Sequence, residues 1–161
     1  MAYSKILVPY DIANPGDNAL EHAVKLAKVN PDTEIILLHV ITEIPIYPVM
    51  EHAIKSRKNP RFTAVEEHAQ YVYSAMKDQA IKILDEKKHE YELREGLKKI
   101  RTDVVLGRPT DKILEYAESK GVELIIIGSA KYGSIAKKLK ILGSVSKGVL
   151  ERAKCSVMVV R

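Results

Sequence analysis

Residues 122–128, VELIIIG, run straight into 129–146, SAKYGSIAKKLKILGSVS. A continuous apolar, β-branched run ending on glycine reads as a strand covered on both faces, as in a parallel sheet. The stretch beyond it carries Gly133, Gly143 and Ser144, with Lys131, Lys137, Lys138 and Lys140 in between. Glycine, serine and lysine after a buried strand suggest a phosphate cradle. A P-loop needs lysine and then a hydroxyl residue after its second glycine, because the ammonium reaches the terminal phosphates and the hydroxyl binds magnesium. Gly128 and Gly133 have the P-loop separation, but Ser134 and Ile135 stand in those two places. No G-x-G-x-x-G occurs either, so a dinucleotide fingerprint is also missing. What survives is Gly133, nine residues, then Gly143-Ser144 at a helix start. Unpaired N–H groups and the helix dipole favour an anion there. Glycines after a parallel strand also serve ordinary turns, so the spacing alone leaves both readings open.

Outward from this stretch, strands alternate with helices. KILVPYD (5–11), EIILLHV (34–40), IRTDVVLG (100–107) and CSVMVVR (155–161) read as the other strands. Asp17 is placed to cap NALEHAVKLAKV, in which Leu20, Ala23, Val24 and Ala27 share one face. Residues 43–60, with three prolines, read as a long connection. From Arg61, Val65, Ala69, Val72, Met76, Ala80 and Ile83 recur at helical spacing, in a helix that either continues past residue 85 or breaks near Gly96. Pro109 opens PTDKILEYAESK and Gly121 closes it; Ser144 is expected to cap VSKGVLERA. The order implies an α/β fold: one domain over residues 1–161, with a mostly parallel five-stranded sheet and helices on both faces. In such sheets ligands bind beyond the carboxyl ends of the strands, where strand order reverses.

Composition narrows the function classes. The chain has 161 residues, 46% hydrophobic and 29% charged, as in an ordinary globular domain. No run approaches the roughly 18 apolar residues of a membrane helix, and the opening segment is too short for a secretory apolar core, so no membrane and a cytoplasmic location are expected. A net charge of +5 permits an anionic ligand. With no tryptophan and a single phenylalanine, base-stacking platforms are scarce and nucleic acid is not expected. Cys155, the single cysteine, reads as core. Histidines 22, 39, 52, 68 and 89 show no metal-ligand pattern, and His39 reads as a satisfied core histidine. No Ser-His-Asp or Cys-His set can be assembled.

Taken together, these residues resemble the universal stress protein family across essentially the whole chain. KILVPYD, LLHV, GRPTDKILEYA, ELIIIGS and LGSVSKGVLERAKCSVMVVR all look like its motifs. ATP-binding members carry G-x-x-G, nine residues, then G-[ST]. This chain has two residues more between Gly128 and Gly143, so Lys131 falls where the second glycine would stand, while Gly133 fits when counted back from Gly143. DIANPGDNAL likewise lacks the D-G-S form common after the first strand. The resemblance implies a Rossmann-like, adenine nucleotide alpha hydrolase-like fold. It also implies a stress-response protein binding ATP, with or without Mg2+, as a switch or binding module. Asp11 and Val40 would meet adenine and ribose, Pro9 and Ile127 would line that pocket, and Gly128, Gly133, Gly143, Ser144, Val145 and Ser146 would surround the phosphates. Residues 130–140 are expected to cover them. Hydrolysis would be weak at most, since no general base stands out. Two alternatives remain: a nucleotide-free stress protein acting through its dimer surface, and a slow ATP-hydrolysing enzyme of the same fold. A homodimer through the C-terminal strand, which would otherwise be an exposed edge, is expected as well.

Overall fold

Five strands, β1 (Lys5–Pro9), β2 (Glu34–Thr42), β3 (Ile100–Gly107), β4 (Leu124–Gly128) and β5 (Ser156–Val160), form one sheet in the order β3-β2-β1-β4-β5. Every neighbouring pair is parallel. The computed structural model describes residues 3–12, 17–42, 60–129 and 142–160. Four helices lie among them: α1 (Asp17–Val29), α2 (Pro60–Glu95), α3 (Pro109–Lys120) and α4 (Ser144–Arg152).

The strand order explains which helix covers which face. The chain steps outward from β1 to β2 to β3, then crosses back to β4 and β5 on the other side of β1. Right-handed crossovers are nearly universal, so reversing the direction of travel moves the connecting helices to the opposite face. Alternate strand residues show the result. Ile6, Val8, Ile35, Leu37, Leu124 and Ile126 pack with Leu20, Ala23 and Val24 of α1 and Ala80, Leu84 and Tyr91 of α2. Leu7, Ile36, Leu38, Ile125 and Ile127 pack with Ile113, Tyr116 and Ala117 of α3 and Val149 of α4. Two apolar layers therefore sandwich the sheet, and the expected α/β class holds.

Several boundaries differ from expectation for physical reasons. Asp17 is the first residue of α1 and not its cap. Its carboxylate accepts the Tyr10 hydroxyl at 2.7 Å, with Lys87 Nζ at 3.5 Å. In α2 the buried stripe is Ala80, Leu84 and Tyr91, whereas Met76 is 41% exposed and Ile83 only half-buried. The apolar spacing meets this stripe at Ala80, but its other described members, Ala69, Val72, Met76 and Ile83, are not buried. At roughly 1.5 Å per residue, 36 residues make α2 about 54 Å long, far longer than the strands it covers. It ends at Glu95, where Gly96 turns left-handed (φ 68°) and donates its N–H to the Glu92 carbonyl at 3.0 Å. The expected connection before Pro60 lies outside the described residues. Cys155 is half-buried just ahead of β5, and burial pushes its thiol up. Among the described residues, no helix is long and apolar enough to cross a membrane.

Candidate functional site

The sheet reverses its strand order between β1 and β4, so the carboxyl ends of these strands open the crevice of a doubly wound fold. The edge is stepped there. β1 stops at Pro9, level with Leu38, while β2 continues to Thr42 beside β3. Val40 thus stands above the end of β1 as a wall, on the face that carries Ile127 and Val145. Extending the β1–β4 register beyond Leu7↔Ile125 brings Pro9 level with Ile127. Asp11 follows two residues after Pro9 and is exposed. Gly128 ends β4; a Cβ there would meet nothing within 4 Å among the described residues, and its φ is not positive. Among the described residues, nothing demands glycine at this position.

Helix α4 brings its N-terminus to the same edge. Gly143 occupies the cap position with extended backbone (φ −63°, ψ 158°), and among the described residues no side chain caps the turn. The expected cap, Ser144, is instead the first helical residue and is exposed. Gly143 needs no left-handed backbone. The first intrahelical bond runs from Lys147 N–H to the Gly143 carbonyl at 2.9 Å. The amides of Ser144, Val145 and Ser146 precede it and have no acceptor within the helix. A cap without a side-chain oxygen leaves these donors to an outside anion. Ser146 is buried, and its hydroxyl donates to the Gly143 carbonyl at 3.0 Å, which fixes the turn from within. Gly133, Lys131, Lys137, Lys138, Lys140 and the expected cover at 130–140 lie outside the described residues.

Sequence reasoning missed the residues that hold this edge in place. Tyr10 follows β1 directly and is anchored three ways. Its N–H donates to the Leu38 carbonyl at 2.8 Å, its own carbonyl bonds His39 Nδ1 at 2.9 Å, and its hydroxyl donates to Asp17. Burial, then the Asp17 carboxylate, pushes the Tyr10 phenol well above its ordinary value. His39 is the satisfied histidine that the sequence suggested, half-buried, and its partner is the peptide immediately before Asp11. A tyrosine directly after the first strand is the only signal that could have pointed to this anchor. Arg152 reaches Asp111 at 2.8 Å and ties the end of α4 to the first turn of α3; this holds the Asp111 carboxyl below its usual range.

An adenine nucleotide fits the described residues. Pro9, Val40 and Ile127 offer an apolar wall, Gly128 leaves room for close approach, and the α4 amides offer donors for phosphate. No cluster of three or more His, Cys, Asp or Glu suited to a metal occurs among the described residues, and a nucleotide-bound Mg2+ takes most of its ligands from phosphate and water.

A profile of the universal stress protein family matches residues 2–161. The chain belongs to that family. Universal stress protein MJ0577 of Methanocaldococcus jannaschii is 32% identical over 159 residues, covering 99% of this chain and 95% of the relative. Universal stress protein YxiE of Bacillus subtilis is 32% identical over 160 residues, covering 99% of both. The solved structure of MJ0577 superimposes with a TM-score of 0.74 at 30% identity, covering 99% and 96% of the two chains. An Arabidopsis thaliana family protein with AMP bound shares the fold at 19% identity (TM-score 0.57, covering 98% and 90%). So does a universal stress protein in complex with cAMP, at 20% identity (TM-score 0.55, covering 100% and 98%).

Proposed function

We propose that this universal stress protein binds ATP or a related adenine nucleotide at the carboxyl edge of β1 and β4, and acts as a nucleotide-dependent switch or binding module in the cytoplasm. The observation that carries the reading is the meeting, at the strand-order reversal, of an apolar wall with a helix N-terminus that none of the described side chains caps. Pro9 and Val40 hold the adenine, and Asp11 accepts from the ribose hydroxyls. Ile127 closes the same pocket, while Gly128 and the amides of Ser144, Val145 and Ser146 take the phosphates. Metal enters with the nucleotide, as its phosphate complex. The bound AMP and cAMP of the two distant fold relatives support an adenine nucleotide over other anions.

The functional unit is a homodimer joined along β5. Ser156 N–H donates to the Glu123 carbonyl at 3.2 Å, and the Val160 carbonyl accepts from Ser129 N–H at 2.7 Å. Residues 156, 158 and 160 therefore direct their backbone groups at β4, leaving those of Val157 and Val159 for a second copy. Mass spectrometry of ligand released from freshly purified protein, followed by calorimetry with ATP, AMP and cAMP, tests the nucleotide reading. No released nucleotide and no heat of binding at millimolar concentration would reject it in favour of a nucleotide-free stress protein.

A further inference from the structure

Gly148 sits in the middle of the nine-residue helix α4, where glycine costs about 1 kcal/mol relative to alanine. Its φ is not left-handed, so the backbone does not require it. The neighbouring helix does. A Cβ on Gly148 would lie 2.9 Å from Thr110 Cγ2, 3.2 Å from Thr110 Oγ1 and 3.6 Å from Thr110 Cβ. Thr110 is the second residue of α3, beside Asp111, whose carboxylate holds Arg152 of α4. The two branches of Thr110 fill two of the three staggered positions on its Cβ, and both face Gly148. Rotation about χ1 can turn only one of them away, so every threonine rotamer leaves a heavy atom in the space that the Cβ needs.

We infer that Gly148 is a positioning residue: its missing side chain lets α4 seat directly on the first turn of α3, and this seat sets where the Ser144–Ser146 amides present themselves to phosphate. The inference rests on the nucleotide reading above and adds to it a determinant that touches no ligand. The three-residue join to β5, with the Asp111–Arg152 contact beside it, tethers the C-terminal end of α4, so a side chain at 148 displaces the helix chiefly toward its phosphate-holding end. Adenine and ribose contacts on β1 and β2 stay where they are.

The test is a two-residue cycle on the full-length protein. Inside a helix with free space, Gly148→Ala should raise Tm by roughly 2–4 °C. Here Tm should fall, and Thr110→Ser should restore it, because a serine hydroxyl can rotate to the position that faces away. In calorimetry, Gly148→Ala should weaken ATP binding about fivefold, as expected for loosened amide–phosphate hydrogen bonds. Adenosine affinity should stay unchanged, and the double variant should recover the ATP affinity. A higher Tm for Gly148→Ala, a double variant that recovers nothing, or equal losses for ATP and adenosine would each overturn the inference. Wild-type protein that binds neither ligand would sink the nucleotide reading instead, and the melting cycle, which needs no ligand, separates the two failures.

Discussion

At the amino ends of the strands, Lys5 meets Glu34 at 3.8 Å, Lys99 meets Asp32 at 2.8 Å, and Glu123 accepts both the N–H and the hydroxyl of Ser4. Lys5 also caps the end of α3 by donating to the Lys120 carbonyl at 2.8 Å. An open groove runs there between Ser4, Asp32, Lys98 and Arg101. At the carboxyl ends the described residues show a different finish: an apolar step at Pro9 and Val40, a glycine that packing does not require, and a helix start without a side-chain cap. Both ends belong to the same strands and contain the same kinds of polar group. At the amino end the charges largely satisfy one another, whereas at the carboxyl end the first amides of α4 have no acceptor within the helix and no described side-chain cap. On the reading proposed above, such helix-end donors are a better guide to a binding site than a concavity lined with charge.

The comparison can be broken most sharply at Gly128. Because a Cβ there has room among the described residues, Gly128→Val should leave Tm nearly unchanged while cutting ATP affinity by about 100-fold or more, or about 2.7 kcal/mol. Retained affinity in calorimetry would move the phosphates elsewhere. Next in size is the edge of β5. Val159→Pro removes an outward-facing N–H and spares the β4 ladder, so light scattering should report a folded monomer, against the dimer expected of the wild type. At the amino end, Lys99→Ala should change stability by no more than about 0.5 kcal/mol in urea melts, since exposed ion pairs contribute little. ATP affinity should not move at all; a tenfold loss would mean that the groove, and not the carboxyl edge, meets the nucleotide.

The smallest effect is an acid one. Hydrogen bonds from Ser4 hold the Glu123 carboxyl below its usual value, and the Lys99 bond does the same for Asp32. Groups with depressed folded-state values stabilise the protein above their unfolded values and lose that contribution as pH falls through the folded ones. Melting temperature should therefore decline slightly below about pH 4.5, and Glu123→Gln should flatten part of that decline. No difference between the two melting curves would show that the Ser4–Glu123 contact contributes nothing.

Periodicity and punctuation carried most of the fold. β3 and α3 fall at the expected residues because proline and glycine bracket them, and the apolar runs of β2 and β4 admit only a buried strand. The phase of α2 was legible only at Ala80. Its sequence offers more than one apolar stripe, and only tertiary contact with the sheet selects Ala80, Leu84 and Tyr91. At the site, the motif located Gly128 and the start of α4, yet the capping rule misplaced Ser144 by one residue, since serine is as acceptable at a first helical position as at a cap. Tyr10, Thr110 and Gly148 escaped notice, and His39 was read as satisfied without its partner, because their roles rest on neighbours distant in sequence, which spacing cannot encode.

The reversal between β1 and β4 also has a consequence for assembly of the chain. Ile6 pairs with Leu124 and Leu7 with Ile125, so the central ladder joins residues from opposite ends of the sequence, and it cannot close until β4 has been made. A ladder between residues so far apart carries a loop-closure cost, so this seam should form late in folding, and a cut near Gly107 would separate its two sides. A nucleotide lying across Pro9 and Ile127 would bind only the joined form and so favour reassociation by mass action. Fragments 1–107 and 108–161, mixed with and without ATP, would then report ligand through their own complementation.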